Sequence, residues 1–580
     1  MTAATPAAPA QPAFTHRQIM VILIGLMSGM FLAALDQTIV ATSIRTIADD
    51  LDGLSLQAWA TTAYLITSTI ATPLYGKLSD LYGRRPFFVA AISIFVVGSA
   101  LCGLANSMYQ LAAYRALQGV GAGGLFSLAL TILGDLVPPR ERARYQGFFL
   151  AVFGTSSVLG PVVGGFLAGQ DTILGITGWR WVFLVNVPIG AVSLLLVMRT
   201  LHLPHTRRDH KIDYLGALTL VVALVPLLIV AEQGREWGWT SVRSVGAYVT
   251  GVIGIVGFLW AERRIGEDAL LPLRLFRGRT FGVGSILNFI VGMGMFGGLA
   301  ALPLYVQIVK GHSPTEAGLL LLPMVLGIMS GSVGSGQAIA RTGRYRVFPI
   351  VGLFLLVAGM LLLSRVTADT SMVWVDVYAF IFGLGLGFNM QTLVLAIQNA
   401  VPPKDMGVAT SSATFFRQMG GTLGTAVFLS VLFNRLPDSI ATAFRDIAPT
   451  PAFQAALKDP AVLADPANKP VLAALADPAA GLSSAGGALN DSSFIGSLDP
   501  RLARPFLVGF ADSIGSVFLL GAIVLVVALA VVWFLPEEKL RSQSGIDARH
   551  QEAAAAAALG EGAAGEATAA TDQQSRHPSR

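Results

Sequence analysis

Apolar runs of about twenty residues, separated by short polar connections, follow one another from Ile19 to Leu535. A hydrocarbon core about 30 Å thick takes about 20 helical residues to cross, so each run predicts a membrane-spanning helix. Fourteen are predicted, over residues 18–44, 57–76, 86–105, 108–135, 141–168, 181–200, 212–232, 245–262, 280–308, 314–340, 346–365, 372–400, 405–433 and 507–535. The first runs past signal-peptide length without a convincing cleavage site, so an uncleaved span is expected there. Lys77, Arg84 and Arg85, then Arg140, Arg142 and Arg144, Arg207, Arg208 and Lys211, Arg263 and Arg264, and Arg341, Arg344 and Arg346 all follow even-numbered spans. Asp49, Asp50, Asp52 and Asp171 follow odd ones. The positive-inside rule therefore predicts cytoplasmic N and C termini.

The loop pattern repeats. Gly76-Lys-Leu-Ser-Asp80-Leu-Tyr-Gly83-Arg84-Arg85 follows the second span, and Gly336-Gln-Ala-Ile-Ala340-Arg-Thr-Gly343-Arg344 follows the tenth, an offset of 260 residues. The same offset relates Gly160 and Gly164 to Gly420 and Gly424. Two related six-helix bundles with a two-helix insert account for both matches. The expected organisation is an N-terminal tail (1–16), a first bundle (17–200), an insert with its linkers (201–278), a second bundle (279–535) carrying an extracytoplasmic loop (436–505), and a tail (536–580), both tails disordered. Asp459-Pro460, Asp465-Pro466 and Asp477-Pro478 predict short, interrupted helices in the loop.

Composition narrows the function. The 580 residues are 54% hydrophobic and 13% charged, too few charges to coat soluble domains. The net charge of +5 is spread through the loops rather than gathered in a patch, which excludes nucleic-acid binding. Cys102 is the single cysteine and is expected to fill space in a helix, and the seven histidines lie outside the apolar runs or at their edges. No metal, haem or disulfide is expected, and no P-loop is present. Uphill movement would need an ion gradient or a partner ATPase.

Charges inside the spans are few. Asp36 sits well within span one, and an isolated carboxylate there is costly unless paired or protonated. Counting along the helices puts Asp36 about 26 Å from the cytoplasmic start of span one and Arg115 about 10 Å from the outer end of span four, so the two are expected to pair in the outer half of the membrane. Such a pair either switches on protonation or pins helices permanently. Arg417, in mid-span thirteen, is expected to face the interior, with a structural ion pair ranked ahead of substrate contact. Gly119 to Gly124 and Gly292 to Gly297 satisfy G-x-G-x-x-G but follow no strand, so close helix packing is expected of them. Gly154, Gly160, Pro161, Gly164 and Gly165 combine a kink with a smooth face, suited to a helix that rocks or to static packing.

In their order, these segments resemble the major facilitator superfamily and, within it, the fourteen-span drug:proton antiporters of EmrB/QacA type. Gly76–Arg85 resembles the loop signature after span two, Leu111–Gly119 the span-four arginine motif, and Gly154–Gly165 the span-five antiporter motif. Leu35–Val40 and Trp179-Arg180-Trp181 with Asn186 and Pro188 are similar to further segments of that branch. The resemblance implies an all-α fold and proton-driven efflux by alternating access, with Asp36 carrying the proton and Arg115 modulating it. Asp80 and Arg84, with Gly76, Gly83 and Arg85, would form a cytoplasmic latch, incomplete in the second half where Ala340 stands in for Asp80. Cavity candidates are Gln37, Gln118, Phe153, Asn288, Phe296, Asn389, Gln391, Phe415 and Arg417, lipid contact being the alternative for each phenylalanine. Span ten carries only Glu316 near its start, which favours neutral or monocationic hydrophobic substrates. A plasma-membrane monomer without cofactor is expected, working with protons, small hydrophobic compounds and the bilayer, and with room for a periplasmic or outer-envelope partner. A lipid or dedicated metabolite exporter, or a membrane sensor acting through its external loop, are the alternatives.

Overall fold

The computed structural model describes residues 15–51, 56–202, 213–476 and 493–541. The tail before Thr15, Arg207, Arg208, Lys211, Asp477-Pro478 and residues 542–580 lie outside the described residues. The long helices are α1 (His16–Asp50), α2 (Gln57–Tyr82), α3 (Arg84–Gly103), α4 (Met108–Leu136), α5 (Pro139–Ala168), α6 (Trp181–Leu184) with α7 (Asn186–Thr200), α8 (Tyr214–Trp237), α9 (Val242–Ile265), α10 (Arg279–Leu304), α11 (Pro314–Leu320) with α12 (Leu322–Thr342), α13 (Val347–Leu363), α14 (Met372–Ala400) and α15 (Met406–Ile447). Three short helices follow, α16 (Pro451–Ala456), α17 (Pro460–Ala464) and α18 (Lys469–Ala476), and then α19 (Pro500–Val531). The one sheet among the described residues is a two-stranded hairpin, β1 (Thr172–Ile173) with β2 (Ile176–Thr177).

All fourteen predicted segments fall on helices, and eleven helical stretches among the described residues are long and apolar enough to cross a membrane. Helices α2 and α15 are richer in Ser, Thr and Gly, and α13 has 17 residues. Two predicted spans are interrupted. Pro188 and Pro323 lack an N–H and crowd the carbonyls of Leu184 and Leu319, so the chain breaks at Val185 and at Leu321.

Helix α1 packs on α5, α7 and α4, α4 lies against α2 and α3, and α3 also meets α7. In the later half α10 packs on α15, α19 and α14, α14 lies against α12 and α13, and α13 also meets α19. Replacing α1, α2, α3, α4, α5 and α7 by α10, α12, α13, α14, α15 and α19 carries one set of contacts onto the other. The two sets join along two seams, α2 with α15 and α5 with α12. Helices α8 and α9 pair with each other, and α8 rests beside the α2/α15 seam.

Glycine sets the spacing within each half. A Cβ on Gly121 would come 2.5 Å from the Phe95 nitrogen and 2.6 Å from the Ala91 carbonyl, and one on Gly383 would collide with the Met324 carbonyl. Gly292 and Gly297 similarly meet the Arg417 carbonyl and the Phe428 ring. Both G-x-G-x-x-G stretches are therefore helix-packing faces.

Three boundaries differ from those expected. Thr15 caps α1 in a reciprocal box with Gln18, so residues 15 and 16 belong to the helix rather than the tail. Residues 436–447 of the expected loop continue α15, because Leu432, Leu436, Ile440 and Ala443 form a buried stripe, and Ile440 packs on Gly509 of α19. Residues 536–541, expected to be disordered, are tied down: Tyr345 donates to the Pro536 carbonyl (2.9 Å), and Asn399 bonds the Lys539 carbonyl and the Arg541 N–H (both 3.1 Å). Within the loop, Asp459 and Asp465 cap the short helical turns that begin at Pro460 and Pro466.

Arg501 holds this loop by bonding Asp459 (3.0 Å) and Asp499 (2.9 Å), and its hydrogen bonds keep both carboxyls below the usual carboxylate range. A depressed folded pKa gives stability that is present above the unfolded value of about 3.9 and is lost as pH falls through the folded one. Hydrogen exchange across residues 451–476, corrected for intrinsic rates, should therefore stay constant from neutral pH to about 4 and rise below it. Arg501→Ala should remove that acid dependence. For the glycine contacts, Gly121→Val should destabilise by about 1–3 kcal/mol, read as a lower thermal midpoint in detergent. Gly165→Ala, which meets open space, should leave the midpoint unchanged.

Candidate functional site

Asp36 lies on the face of α1 turned toward α4 and α7, and its side chain is 0% exposed. Burial leaves a carboxylate without water, so its oxygens need protein donors. Arg115 Nη1 donates to Oδ2 at 2.6 Å, and Gln118 Nε2 (2.9 Å) and Asn186 Nδ2 (2.8 Å) donate to Oδ1. Arg115 Nη1 also donates to Gln118 Oε1 (2.8 Å), its Nε reaches the Ala60 carbonyl (3.3 Å), and the guanidinium lies 4.1 Å from the centre of the Tyr64 ring. Asn186 continues to Ser99 Oγ (3.0 Å), which donates to the Phe183 carbonyl. Cys102 Sγ sits 3.7 Å from Gln118 Oε1, at the rim of this network rather than in purely apolar packing. One carboxylate thus joins α1, α4 and α7 directly, and α2 and α3 through their partners.

A second cluster forms at the end of the bundle where α1 begins, here called the basic end. Asp80, near the end of α2, accepts the N–H groups of Gly407 (3.1 Å) and Val408 (2.9 Å) in the first turn of α15. Helix N-termini carry unpaired N–H donors and a positive dipole end, so an anion belongs there. Arg84 contacts Asp80 at 2.5 Å and Asp135 at 2.8 Å and donates to Ser79 Oγ at 2.7 Å. Gly83 takes φ +99° at the α2/α3 turn, a region that favours glycine. Gly76 lets the helices touch, since a Cβ there would lie 2.8 Å from the Gly407 carbonyl and collide with Ser411. Arg85 points elsewhere, donating to the Met198 carbonyl of α7 (2.6 Å).

Two further contacts close the same end. Arg142 Nη1 donates to Gln398 Oε1 (2.8 Å) across the halves, and Gln398 donates to Thr410 (2.8 Å). The connection after α9 straps the α2/α15 seam: Lys77 donates to the Glu267 carbonyl (3.1 Å), and Arg274 grips both oxygens of Asp405 (3.0 and 2.9 Å).

On α5, Gly160 and Gly164 receive Thr38 and Thr42 of α1, whereas Gly154 faces Val325 of α12 and Pro161 lies beside Gly318 of α11. Gly165 meets open space. Thr38 Oγ1 donates to the Ser156 carbonyl at 3.0 Å. The stretch of α1 that carries Asp36 therefore rests on the helix that forms the second seam.

The cavity candidates separate. Gln118 belongs to the Asp36 network, and Gln37 reaches Tyr64 Oη at 3.5 Å. Asn288 bonds the Gly284 carbonyl within its own helix, and Asn389 bonds the Gly385 carbonyl while facing Gly352 of α13. Phe415 is buried in an apolar cluster with Ile66, Ile70 and Phe281. Phe153 is 37% exposed, and Phe296 is half-buried against Gly421. Gln391 is buried with Oε1 unpaired. Arg417 is half-buried and makes no hydrogen bond or ion pair among the described residues.

Sequence reasoning missed Asn186, Ser99 and Tyr64 as members of the Asp36 network, and Gln398, Lys77, Arg274 and Asp405 at the basic end. Asn186 stood in the Trp179–Pro188 segment, and Arg142 was used only for orientation. A buried carboxylate needing more than one donor was the signal available.

A family profile described as Major Facilitator Superfamily matches residues 26–425. The chain belongs to the major facilitator superfamily. It is 40% identical over 425 residues to Multidrug resistance protein 3 of Bacillus subtilis (strain 168), covering 73% of this chain and 81% of that protein. It is 35% identical over 543 residues to Multidrug transporter protein MdtP of the same organism, covering 92% and 96%. Its fold is similar to that of the proton:xylose symporter XylE bound to 6-bromo-6-deoxy-D-glucose, with TM-score 0.55, 15% identity and coverage of 92% and 99%. The protein is a multi-pass membrane transporter with the major facilitator fold, and it is not an enzyme.

Removing Asp80 takes the anion from the N-terminus of α15, while Arg84 keeps its pair with buried Asp135. Asp80→Ala should therefore lower the thermal midpoint and raise thiol labelling of an introduced Ser411→Cys. Asp80→Ala/Arg84→Met also takes Arg84 from buried Asp135, so it should lower the midpoint further while the labelling stays high.

Proposed function

We propose that this transporter exports small hydrophobic compounds, neutral or singly charged, in exchange for protons. In this reading it is a fourteen-span, plasma-membrane monomer without cofactor, both termini are cytoplasmic, and the basic end is the cytoplasmic end. The observation that carries the proposal is the enclosed Asp36 network and its continuity with the α5 seam.

Protonating Asp36 removes the charge that holds Arg115 at 2.6 Å and frees the donors of Gln118 and Asn186. Arg115 keeps the Ala60 carbonyl and the Tyr64 ring. α1 is then released from α4 and α7, and any shift of Thr38 and Thr42 passes to α5 through Gly160 and Gly164. The α2/α15 seam is clamped at the basic end by Asp80, which in this reading supports a conformation closed toward the cytoplasm. Opening that end breaks the Asp80 and Arg142 contacts, and the resulting two-state element is one that proton and substrate can both bias.

The test is collapse of a respiration-generated pH gradient in everted vesicles as hydrophobic compounds are added. Wild type should release protons in response, and Asp36→Asn at matched expression should not. A full response from Asp36→Asn would remove Asp36 from the coupling step, and silence of the wild type across a broad panel would favour a lipid or dedicated metabolite exporter.

A further inference from the structure

The membrane interior of this protein holds two arginines in different circumstances. Arg115 is saturated by Asp36, Gln118 and Ala60. Arg417 has no such partner among the described residues, although it lies eleven residues into α15, about 16 Å from the basic end and near mid-membrane. Its backbone is fixed, because the Arg417 carbonyl packs on Gly292 and the next turns of α15 pack on Phe289 and Met293 through Gly420 and Gly424.

Among the described residues, no carboxylate stands at its level on the helices packed against α15. On α2, Thr72 meets Gln418, and Asp80 is eight residues away, about 12 Å, and already committed to Arg84 and the α15 N-terminus. Within α4, Asp135 is paired with Arg84. Helix α10 carries no acidic residue. On α14, Asp376 is fifteen residues, about 22 Å, from Gln391. Asp512 of α19 bonds Ser439, 22 residues beyond Arg417 on α15. Asp36, fully enclosed, offers the space between the halves no negative charge.

Two other groups share the level or the face of Arg417. Gln398 bonds Thr410, and α14 runs antiparallel to α15, so seven residues back along one and seven forward along the other set Gln391 level with Arg417. Gln391 is buried with its Oε1 unpaired, an acceptor that gives no hydrogen bond to an anion. Gly421, one turn past Arg417 on the same face, receives the half-buried Phe296 ring.

We infer that Arg417 is the head-group site for an amphipathic monoanion, a carboxylate or sulfonate whose apolar body lies along Phe296. An always-charged, planar donor in a water-poor interior selects an acceptor anion and repels an ammonium group. This deepens the export reading and rests on it: of the singly charged hydrophobic compounds, the anions are the ones recognised, in place of the monocations expected from span ten.

Equilibrium binding separates the two. Full-length protein in zwitterionic-lipid nanodiscs is titrated, without a pH gradient, with three labelled ligands of one ring system: 1-naphthylacetate, 2-(1-naphthyl)ethanol and 2-(1-naphthyl)ethylammonium. Wild type should bind the carboxylate about tenfold more tightly than the ammonium compound. Arg417→Gln should bring that ratio close to one and leave the alcohol within about twofold, whereas Arg417→Lys should keep a reduced preference for the anion. Equal or tighter ammonium binding by wild type, an unchanged ratio in Arg417→Gln, or no binding of any of the three overturns the inference. None of these outcomes decides proton coupling, which rests on the gradient assay with Asp36.

Discussion

The rest of the structure is arranged around the burial of one carboxylate. Taking Asp36 out of water costs several kcal/mol, and the cost is offset only while Arg115, Gln118 and Asn186 are all in place. Those donors come from α4 and α7, and they are in turn oriented by Ala60 on α2 and by Ser99 on α3. The requirement for complete satisfaction makes the network all-or-none. An ion pair at the surface can lose one bond cheaply, whereas here the loss of one bond leaves partners on several helices unsatisfied at once.

The two seams between the halves occupy corresponding places in the repeat yet differ chemically. At α2/α15 the contact is ionic: Asp80 at a helix N-terminus, Arg84 behind it, and the Arg274–Asp405 strap across it. At α5/α12 it is steric, with Gly154 and Pro161 against Val325 and Gly318. Ala340 removes the charge that would have made the second seam ionic, and Arg142 joins the halves through a neutral Gln398 instead. One seam is thus held by directional ionic contacts and the other by close packing alone. The α8/α9 pair fits this asymmetry, since its trailing connection reinforces the ionic seam.

The helices were legible in the sequence because the bilayer imposes a single length scale, and apolar runs of that length have few other uses. Their interruptions at Val185 and Leu321 were not, although Pro188 and Pro323 gave the signal, because hydropathy does not register a missing N–H. The extension of α15 through Ile447 escaped for the opposite reason: outside the bilayer the apolar period falls to a narrow stripe, Leu432 to Ala443, readable only once α19 is known to lie beside it. The pairing of Asp36 with Arg115 could be counted from helix rise, since both depths followed from the chain. Asn186 and Ser99 could not, because which neighbour turns toward a charge is a property of packing.

Arg417 shows the same limit from the other side. Sequence reasoning expected a structural partner for it because a lone guanidinium at that depth is expensive, and the reasoning was sound for Arg115. What distinguishes the two residues is enclosure: Arg115 is 1% exposed inside one half, where only protein can answer its charge, while Arg417 is half-buried on α15. Asp36 is neutralised within its own bundle, whereas Arg417 has no counter-ion among the described residues, and the charge left over in the spans is positive. The sign of that charge follows from where each ion pair closes, and not from the +5 of the whole chain, most of which lies in the loops.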